Sequence, residues 1–253
     1  MTMSEKLEQL DELKIRLDSF RPFPPAVAVE LKKLYDVRFT YHSNAIEGNT
    51  LTQSETEMVL EHGITVGGKT LAEHLEVIGH KEAIDYVEEL AGENMAIGER
   101  EIKDLHSLII RGIDRSEAGR YRTLDVRAAG TEHVYPPHFR LQELMESFVE
   151  WLNSSDVAKL HTVERATGAH YRFVSIHPFR DGNGRVGRLL MNLTLLRGGY
   201  PIAVITNERR KEYIDALVYA QEHQDDTGRL LDLVADASRD SLIEYLRILS
   251  TAE

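Results

Sequence analysis

One stretch of 18 residues constrains this chain more than any other: residues 175–192, which read S-I-H-P-F-R-D-G-N-G-R-V-G-R-L-L-M-N. It holds a histidine, a carboxylate, a Gly-Asn-Gly turn and two arginines three positions apart, directly ahead of an apolar run with helical spacing. A turn of this kind adopts backbone conformations that most residues avoid, and it points successive N–H groups into one concavity that binds anions. The stretch therefore predicts an anion site at the start of a helix.

The residues around the turn predict what that site does with an anion. Arg185 and Arg188 lie on one face of the helix, where their guanidinium groups can fork onto phosphate oxygens. The helix N-terminus adds a partial positive charge at the same place. Asp181 is an oxygen ligand of the kind that Mg²⁺ prefers, and His177, with an ordinary pKa near ~6.5, can act as a base. Together they predict a clamp for a nucleotide polyphosphate that has its own base.

Residues 177–188 match every position of H-x-F-x-[DE]-G-N-G-R-x-x-R, and on these residues the chain resembles the Fic (filamentation-induced-by-cAMP) family. The resemblance implies a mainly α, Fic-type helical bundle with a small β-hairpin flap. It implies transfer of AMP from ATP, the co-substrate, to a Tyr, Thr or Ser hydroxyl of a target protein, with self-modification and with Mg²⁺ or Mn²⁺ as the metal ion. His177 would be the base, Asp181 would hold the metal ion and Phe179 would anchor the loop. The nucleotide would be bound by Gly182, Asn183, Gly184, Arg185, Arg188, Tyr213 and Gln221, with the adenine packed near the last two.

A second motif lies upstream. Ser43-x-x-x-Glu47-Gly48 matches [ST]-x-x-x-E-[GN], the pattern of family members that carry an inhibitory helix ahead of the catalytic domain. The resemblance implies that Glu47 reaches Arg188 while Ser43 secures the helix, since residues four apart share a helix face. The predicted function is an autoinhibited protein adenylyltransferase. Two alternatives stay open: a de-AMPylase that uses Glu47 to align water in the same site, and a non-catalytic module that senses ATP.

Two nucleotide-binding patterns compete with this interpretation. The glycines at 182, 184 and 187 fit the dinucleotide fingerprint, and residues 63–70 fit the Walker A pattern. Both patterns require a strand before the glycines and a helix after them. Residues 163–174 and 55–60 have helical periodicity instead, so neither alternative is favoured.

Helical spacing predicts α-helices over residues 5–17, 26–41, 53–62, 71–90, 99–111, 141–153, 157–174, 207–224 and 230–249. Two hairpins are predicted, at residues 64–71 and 123–135. The second would be a flap that binds an extended target segment by strand addition, with a plain structural hairpin as the alternative. Its target-binding residues would be Thr131, Glu132, His133, Val134 and Tyr135. The predicted organisation is a regulatory region with the inhibitory helix (1–95), a Fic catalytic core (96–225) and a C-terminal helix that packs on the core (226–253).

Composition narrows the partners. A net charge of −12 argues against broad nucleic-acid binding, because a phosphate backbone would be repelled. The sequence has no cysteine, which excludes disulfides, thiolate zinc sites and cysteine nucleophiles. No apolar run reaches the length of a membrane span. We expect a cytoplasmic protein whose partners are ATP and protein substrates, without membrane or nucleic acid, and leave a homo-oligomer open.

Overall fold

The computed structural model describes residues 2–93, 95–127 and 133–251. Within these residues there are ten α-helices: α1 (Met3–Asp18), α2 (Pro25–Ile46), α3 (Gln53–His62), α4 (Leu71–Gly92), α5 (Glu99–Ile110), α6 (Leu141–Leu152), α7 (Thr162–Ile176), α8 (Asn183–Arg197), α9 (Arg210–Glu222) and α10 (Gly228–Ser250). Short 3₁₀ turns occupy His138–Arg140, Val157–Lys159 and Asn207–Arg209. The prediction of a mainly α fold is confirmed.

Local sequence sets several helix ends. Thr52 and Thr70 begin α3 and α4 with reciprocal capping boxes, in which Glu55 and Glu73 bind back to the threonine backbone. Such boxes satisfy N–H groups that would otherwise lack partners at a helix start. Gly63 ends α3 in the left-handed conformation, with φ 62°, which favours glycine. The predicted span of α3 is confirmed.

The helices α7 and α8 pack against each other along the centre of the molecule, and residues 177–182 connect them. One apolar core joins α1, α2, α7, α9 and α10, and a second joins α2, α4, α5, α6, α7 and α8. The connecting loop therefore emerges where both cores meet. Packing from two sides fixes the direction in which its side chains face.

Three predicted helices have different limits in the structure. The helix α2 continues to Ile46 instead of ending at residue 41, so the first part of the S-x-x-x-E-G motif is helical. The predicted helix 157–174 is broken, because Leu160 adopts an extended conformation and His161 Nδ1 accepts a hydrogen bond from Val163 N at 3.1 Å to start α7. The predicted helix 207–224 likewise opens as the 3₁₀ turn Asn207–Arg209 before α9.

The predicted hairpin at residues 64–71 is wrong. This segment is a turn without strands, because Gly63 is used to end α3 and Thr70 to start α4. The N–H of Val66 donates to His74 Nε2 at 2.9 Å and not to a strand partner. The segment is thus no P-loop, and α7 in front of the motif removes the dinucleotide-binding alternative as well.

The described part of the predicted flap contains one antiparallel bridge, between Arg127 and Val134. Thr131 and Glu132 lie outside the described residues. At the stem, the Asp125 carboxylate accepts hydrogen bonds from the backbone N–H and the imidazole of His138, at 2.8 and 2.9 Å. The two segments that form the flap are therefore joined at their base.

Over the described ranges, no helix has both the length and the apolarity needed to cross a bilayer.

Candidate active site

The motif loop is held in shape by its own side chains. Asn183 binds Phe179 twice, accepting from its N–H at 3.0 Å and donating to its carbonyl at 2.8 Å. The Phe179 ring is fully buried and stacks on the His106 ring with centroids 3.7 Å apart, as its predicted anchoring role requires. Gly182 caps α8 with φ 78°, a conformation that glycine adopts without strain. The Asn183 side chain thus serves the loop, which leaves its backbone to face an anion.

Arg188 lies at the centre of a buried polar network and is 1% exposed. Its Nε donates to Ser43 Oγ at 3.0 Å, and its Nη2 donates to the Ser43 carbonyl and to Glu47 Oε1, both at 2.7 Å. Burial works against the charged form of Arg188, yet the Glu47 carboxylate raises the pKa of the guanidinium. The predicted contact between Glu47 and Arg188 is therefore present, with Ser43 on the same guanidinium.

The Glu47 carboxylate lies against the first turn of α8. A Cβ atom built on Gly184 would come within 2.2 Å of Glu47 Oε1, so the carboxylate occupies the space that a side chain at this position would fill. A helix N-terminus attracts anions because its first N–H groups are unpaired and its dipole is positive there. Glu47 therefore fills part of the concavity predicted for phosphate. Its side chain is still 38% exposed, so it is also in contact with solvent.

Arg185 is also buried, but beneath different carboxylates. Its Nη1 lies 3.3 Å from Glu76 Oε1, and its Nη2 lies 3.4 Å from Asp181 Oδ2. The second Glu76 oxygen accepts from Asn49 Nδ2 at 2.8 Å, which links Arg185 to the turn that follows Glu47. Both arginines predicted to bind phosphate therefore contact carboxylates in this conformation.

His177 ends α7 in the left-handed conformation, with φ 52° and ψ 57°, which is uncommon for a residue with a side chain. Its ring stacks on Tyr135, with centroids 4.0 Å apart. Burial lowers the pKa of His177 to about 4, and the Arg122 charge acts in the same direction while Glu47 and Asp181 oppose it. The imidazole is therefore neutral at pH 7 and able to accept a proton.

Asp181 is the predicted metal ligand, and its side chain is 75% exposed. Its Oδ1 accepts from Gly182 N at 2.6 Å, while its backbone carbonyl accepts from His106 Nε2 at 3.1 Å. No cluster of three or more metal-binding side chains occurs among the residues that the structure describes. One exposed carboxylate fits a Mg²⁺ ion that takes its remaining ligands from water and substrate phosphates.

The two residues predicted to contact adenine have different surroundings. Tyr213 is buried, its hydroxyl lies 2.9 Å from His170 Nε2, and it accepts from Arg188 Nη1 at 3.3 Å. In this conformation Tyr213 therefore holds the Arg188 guanidinium through this hydrogen bond. Gln221, in contrast, faces the Tyr135 hydroxyl, whose pKa burial raises and the Gln221 hydrogen bond lowers. Contact of either residue with adenine stays a prediction.

The described flap residues lie over the histidine. Tyr135 forms the stack on His177, and the His133 ring packs edge-on against Tyr135 with centroids 4.9 Å apart. Val134 is exposed although its backbone pairs with Arg127. The target-binding role of these residues stays a prediction.

Sequence reasoning missed His106 and Glu76. Gly119 N donates to His106 Nδ1 at 3.0 Å, so the ring proton is on Nε2, which donates to the Asp181 carbonyl. Burial lowers the pKa of His106 to about 4 and keeps this tautomer neutral. The partners of His106 and Glu76 in the motif lie 75 and 109 positions away, so no local pattern could have revealed either contact.

Comparison with known proteins agrees with this geometry. Residues 96–195 match the model of the Fic/DOC family. The proteins named protein adenylyltransferase Fic from Drosophila grimshawi and Aedes aegypti are each 37% identical to the chain, over 97% and 96% of its length. The chain spans about half the length of these curated relatives, 50% and 48% respectively.

Solved structures extend the agreement to the whole fold. Fic-1 of C. elegans (residues 134–508) superposes with a TM-score of 0.89 at 32% identity, covering 99% of this chain and 74% of that one. A Fic domain containing signaling protein from Bacteroides thetaiotaomicron superposes with a TM-score of 0.88 at 28% identity, covering 97% and 98%. Since the motif, the helical fold and the similarity along nearly the whole of this chain coincide, the chain belongs to the Fic/DOC family.

Proposed function

We propose that the protein is an autoinhibited protein adenylyltransferase, which transfers AMP from ATP to a hydroxyl group of a protein side chain. The observation that carries the proposal is the ion pair of Glu47 with the buried Arg188 at the start of α8. A carboxylate held at a helix N-terminus occupies the kind of site that binds phosphate. The names of the relatives, protein adenylyltransferase Fic, support the type of reaction.

In the proposed reaction a target hydroxyl oxygen forms a bond to the α-phosphorus of ATP, and the bond from that phosphorus to the bridging oxygen breaks. His177 takes the hydroxyl proton, which a neutral imidazole can do. Gly182, Gly184 and the backbone of Asn183 bind the phosphates, Arg185 the β-phosphate region and Arg188 the γ-phosphate. A Mg²⁺ ion on Asp181 would offset the negative charge of the leaving pyrophosphate. The low pKa of His177 keeps the base unprotonated over the whole physiological range.

The strength of the block follows from the ion pair. A charge-assisted hydrogen bond away from water contributes about 1.5 to 3 kcal/mol. If the γ-phosphate must displace Glu47 from Arg188, productive ATP binding is disfavoured about tenfold to over a hundredfold. The Glu47 side chain is 38% exposed, so screening by solvent places the expected value toward the lower end.

The experiment is label transfer from ATP to protein by wild type and by Glu47→Gly. The variant should incorporate label from α-labelled ATP about ten to a hundred times faster than wild type, and none from γ-labelled ATP. Adding His177→Ala to the variant should remove incorporation. Transfer of the γ label would show that the reaction is phosphorylation and not adenylylation. Equal rates for both proteins would show that Glu47 has no inhibitory role.

De-AMPylation is a second candidate, and one observation favours it. Glu47 Oε1 accepts from Arg188 while the side chain is 38% exposed, so a carboxylate of the site is in contact with solvent, from which it would take the attacking water molecule. Wild type would then release AMP from a pre-modified target protein, and Glu47→Gly would not. Saturable ATP binding without transfer or release in either protein would favour the ATP-sensing module.

The proposal assigns functions along the chain. Residues 1–95 would regulate, 96–225 would carry the reaction, and 226–253 would pack on the core. The contacts of α10 with α7 and α9 support the last part, and α10 packs on α1 of the regulatory region as well. The division is one of function, because a single core joins α1 to α7 and α10. A cytoplasmic location, the choice of Mg²⁺ and a homo-oligomer stay predictions, to be tested by fractionation, metal titration and sedimentation.

A further inference from the structure

A buried arginine outside the motif connects the loop that carries His177 to both segments of the flap stem. The Nε of Arg122 donates to the His177 carbonyl at 2.9 Å, its Nη1 to the Leu124 carbonyl at 2.9 Å and its Nη2 to the Pro136 carbonyl at 2.5 Å. Its own N–H donates to the Pro178 carbonyl at 2.9 Å. Leu124 lies at the start of the predicted flap and Pro136 directly after it, so one guanidinium group binds three separate places in the chain.

The charge of Arg122 has little compensation. Its side chain is 2% exposed and the nearest carboxylate oxygen, on Asp125, is 3.8 Å from Nη1. Burial of a guanidinium costs free energy that neutral carbonyls repay only in part. Burial accordingly lowers the pKa of Arg122. A purely structural link between these segments would cost less free energy with an uncharged side chain. The buried charge at this position therefore needs another explanation.

His177 supplies that explanation. Its left-handed backbone is an uncommon conformation that persists only when neighbouring contacts hold it. Two backbone contacts lie on either side of this residue: its N–H donates to the Phe173 carbonyl at 3.1 Å, and its carbonyl accepts from Arg122. The planar fork of a guanidinium fixes the direction of several acceptors at once, which an ammonium group cannot do.

We propose that Arg122 is a positioning residue for AMP transfer: it holds the backbone of His177 in the left-handed conformation and joins that backbone to both ends of the flap. The flap and the histidine are thereby held in a fixed relative position, so that a target hydroxyl bound by the flap lies within reach of the imidazole. This inference rests on the proposed function for its kinetic consequence. Its structural part, the coupling of flap and motif loop, is independent of any reaction.

Hydrogen–deuterium exchange of the full chain tests the coupling without catalysis. In Arg122→Lys, amide exchange should accelerate at residues 123–127, at 133–138 and at 177–182 together. Arg120 lies on the same loop, is exposed and provides the matched control, Arg120→Lys, which should leave all three segments unchanged. Acceleration confined to one segment, or none, would overturn the coupling. Arg122→Gln, which can keep one carbonyl contact, is the second variant if the lysine variant does not fold.

Kinetics in the Glu47→Gly background test the positioning role. Arg122→Lys should lower kcat by about 10- to 100-fold, since misplacement of a reacting group by about 1 Å has effects of this size, while the KM for ATP stays within about twofold. Arg122→Gln should in addition move the acid limb of the pH–rate profile upward, because a positive charge near His177 is lost; Glu47 is absent from this background, and the negative charge of Asp181 remains. Unchanged kcat in both variants would overturn the role. If Glu47→Gly transfers no AMP at all, the proposed function fails, and the exchange experiment alone decides on Arg122.

Discussion

The motif loop and the flap meet at His177, yet they are built in opposite ways. Every turn of the loop is packed or hydrogen-bonded: Phe179 is fully buried, and Asn183 closes the backbone of Phe179 from both sides. The described part of the flap has one β-bridge and exposes Val134 to solvent, and Phe139, in the turn beside the flap, is exposed as well. The flap is fixed at its stem, through Asp125, His138 and Arg122.

The difference suits the two tasks of the proposed transferase. The reaction requires groups held near their final positions before substrate arrives, because reorganisation in the transition state is costly. Recognition of an extended segment requires backbone groups that are free to pair. A packed loop beside a sparsely paired flap, joined to it through the stem and through the stack of Tyr135 on His177, fits both requirements of the proposed function. The following predictions test that contrast, from the largest effect to the smallest.

Loss of the base should have the largest effect. In the Glu47→Gly background, His177→Ala should lower AMP transfer by about 10²- to 10⁴-fold, the usual contribution of a positioned base. Melting temperature should stay within a few degrees of the parent protein. His62→Ala, which changes an exposed imidazole at the end of α3, is the control and should keep most of the activity. A His177→Ala variant with parental rates would show that another group takes the proton.

Two phenylalanines compare the packing of the regions directly. Phe179→Ala in the loop should lower the free energy of unfolding by about 3–5 kcal/mol, the cost of deleting a buried aromatic ring. Phe139→Ala beside the flap removes a ring that is 76% exposed and should change it by less than about 0.5 kcal/mol. Urea unfolding of both variants measures the difference. Similar losses would mean that the flap is packed as firmly as the loop.

Stability should depend on pH through the buried histidines. Burial lowers the pKa of His106 to about 4, that of His170 to about 3 and that of His80 well below its ordinary value. Their folded forms stay neutral while the unfolded forms take up protons below about pH 6.5, so the unfolded chain binds more protons and stability falls as pH falls. Between pH 7 and 5 each such imidazole should reduce the free energy of unfolding by about 2 kcal/mol.

Urea unfolding at pH 7, 6 and 5 measures that slope. His106→Gln should flatten it, whereas His62→Gln, at an exposed position, should leave it unchanged. A flat profile in wild type would show that the imidazoles beneath the motif are protonated in the folded state.

The smallest effect is expected at the flap edge. Val134→Ser removes an exposed β-branched side chain, and cross-strand pairs of this kind contribute about 0.2–1 kcal/mol. In the Glu47→Gly background the KM for a target protein should therefore rise about two- to fivefold, with the KM for ATP unchanged. An equal change in both constants would place Val134 at the nucleotide instead.

Local sequence predicted the helices and the turn of the motif loop because their causes are local. Capping boxes at Thr52 and Thr70 and the left-handed Gly63 fix helix ends within a few residues, and the twelve-residue motif brings its own turn, helix and arginines. The same local signals misled at residues 64–71, where β-branched residues beside a Gly-Gly pair predicted strands. The helix caps on both sides use that backbone, and the N–H of Val66 donates to the His74 side chain instead of to a strand.

The contacts that complete the site come from distant parts of the chain, and this is why they escaped prediction. His106, Glu76 and Arg122 reach the motif across 55 or more positions. Nothing in their neighbouring residues distinguishes them from ordinary helix or loop residues. The environment of His177 was missed for the same reason: its low pKa depends on burial beneath Tyr135 and on Arg122. Spacing alone assigned it an ordinary value.

The central claim, that the Glu47 carboxylate on Arg188 keeps the site shut, is tested most directly by a graded series at one position. Intact mass spectrometry would follow AMP addition by wild type, Glu47→Gln and Glu47→Gly in parallel, with ATP and Mg²⁺. We expect rates that rise in that order, because glutamine keeps the shape of the glutamate side chain without its charge. Glycine removes the side chain altogether from the first turn of α8. Equal rates in all three proteins, or a glutamine variant as slow as wild type beside a fast glycine variant, would contradict a block based on charge.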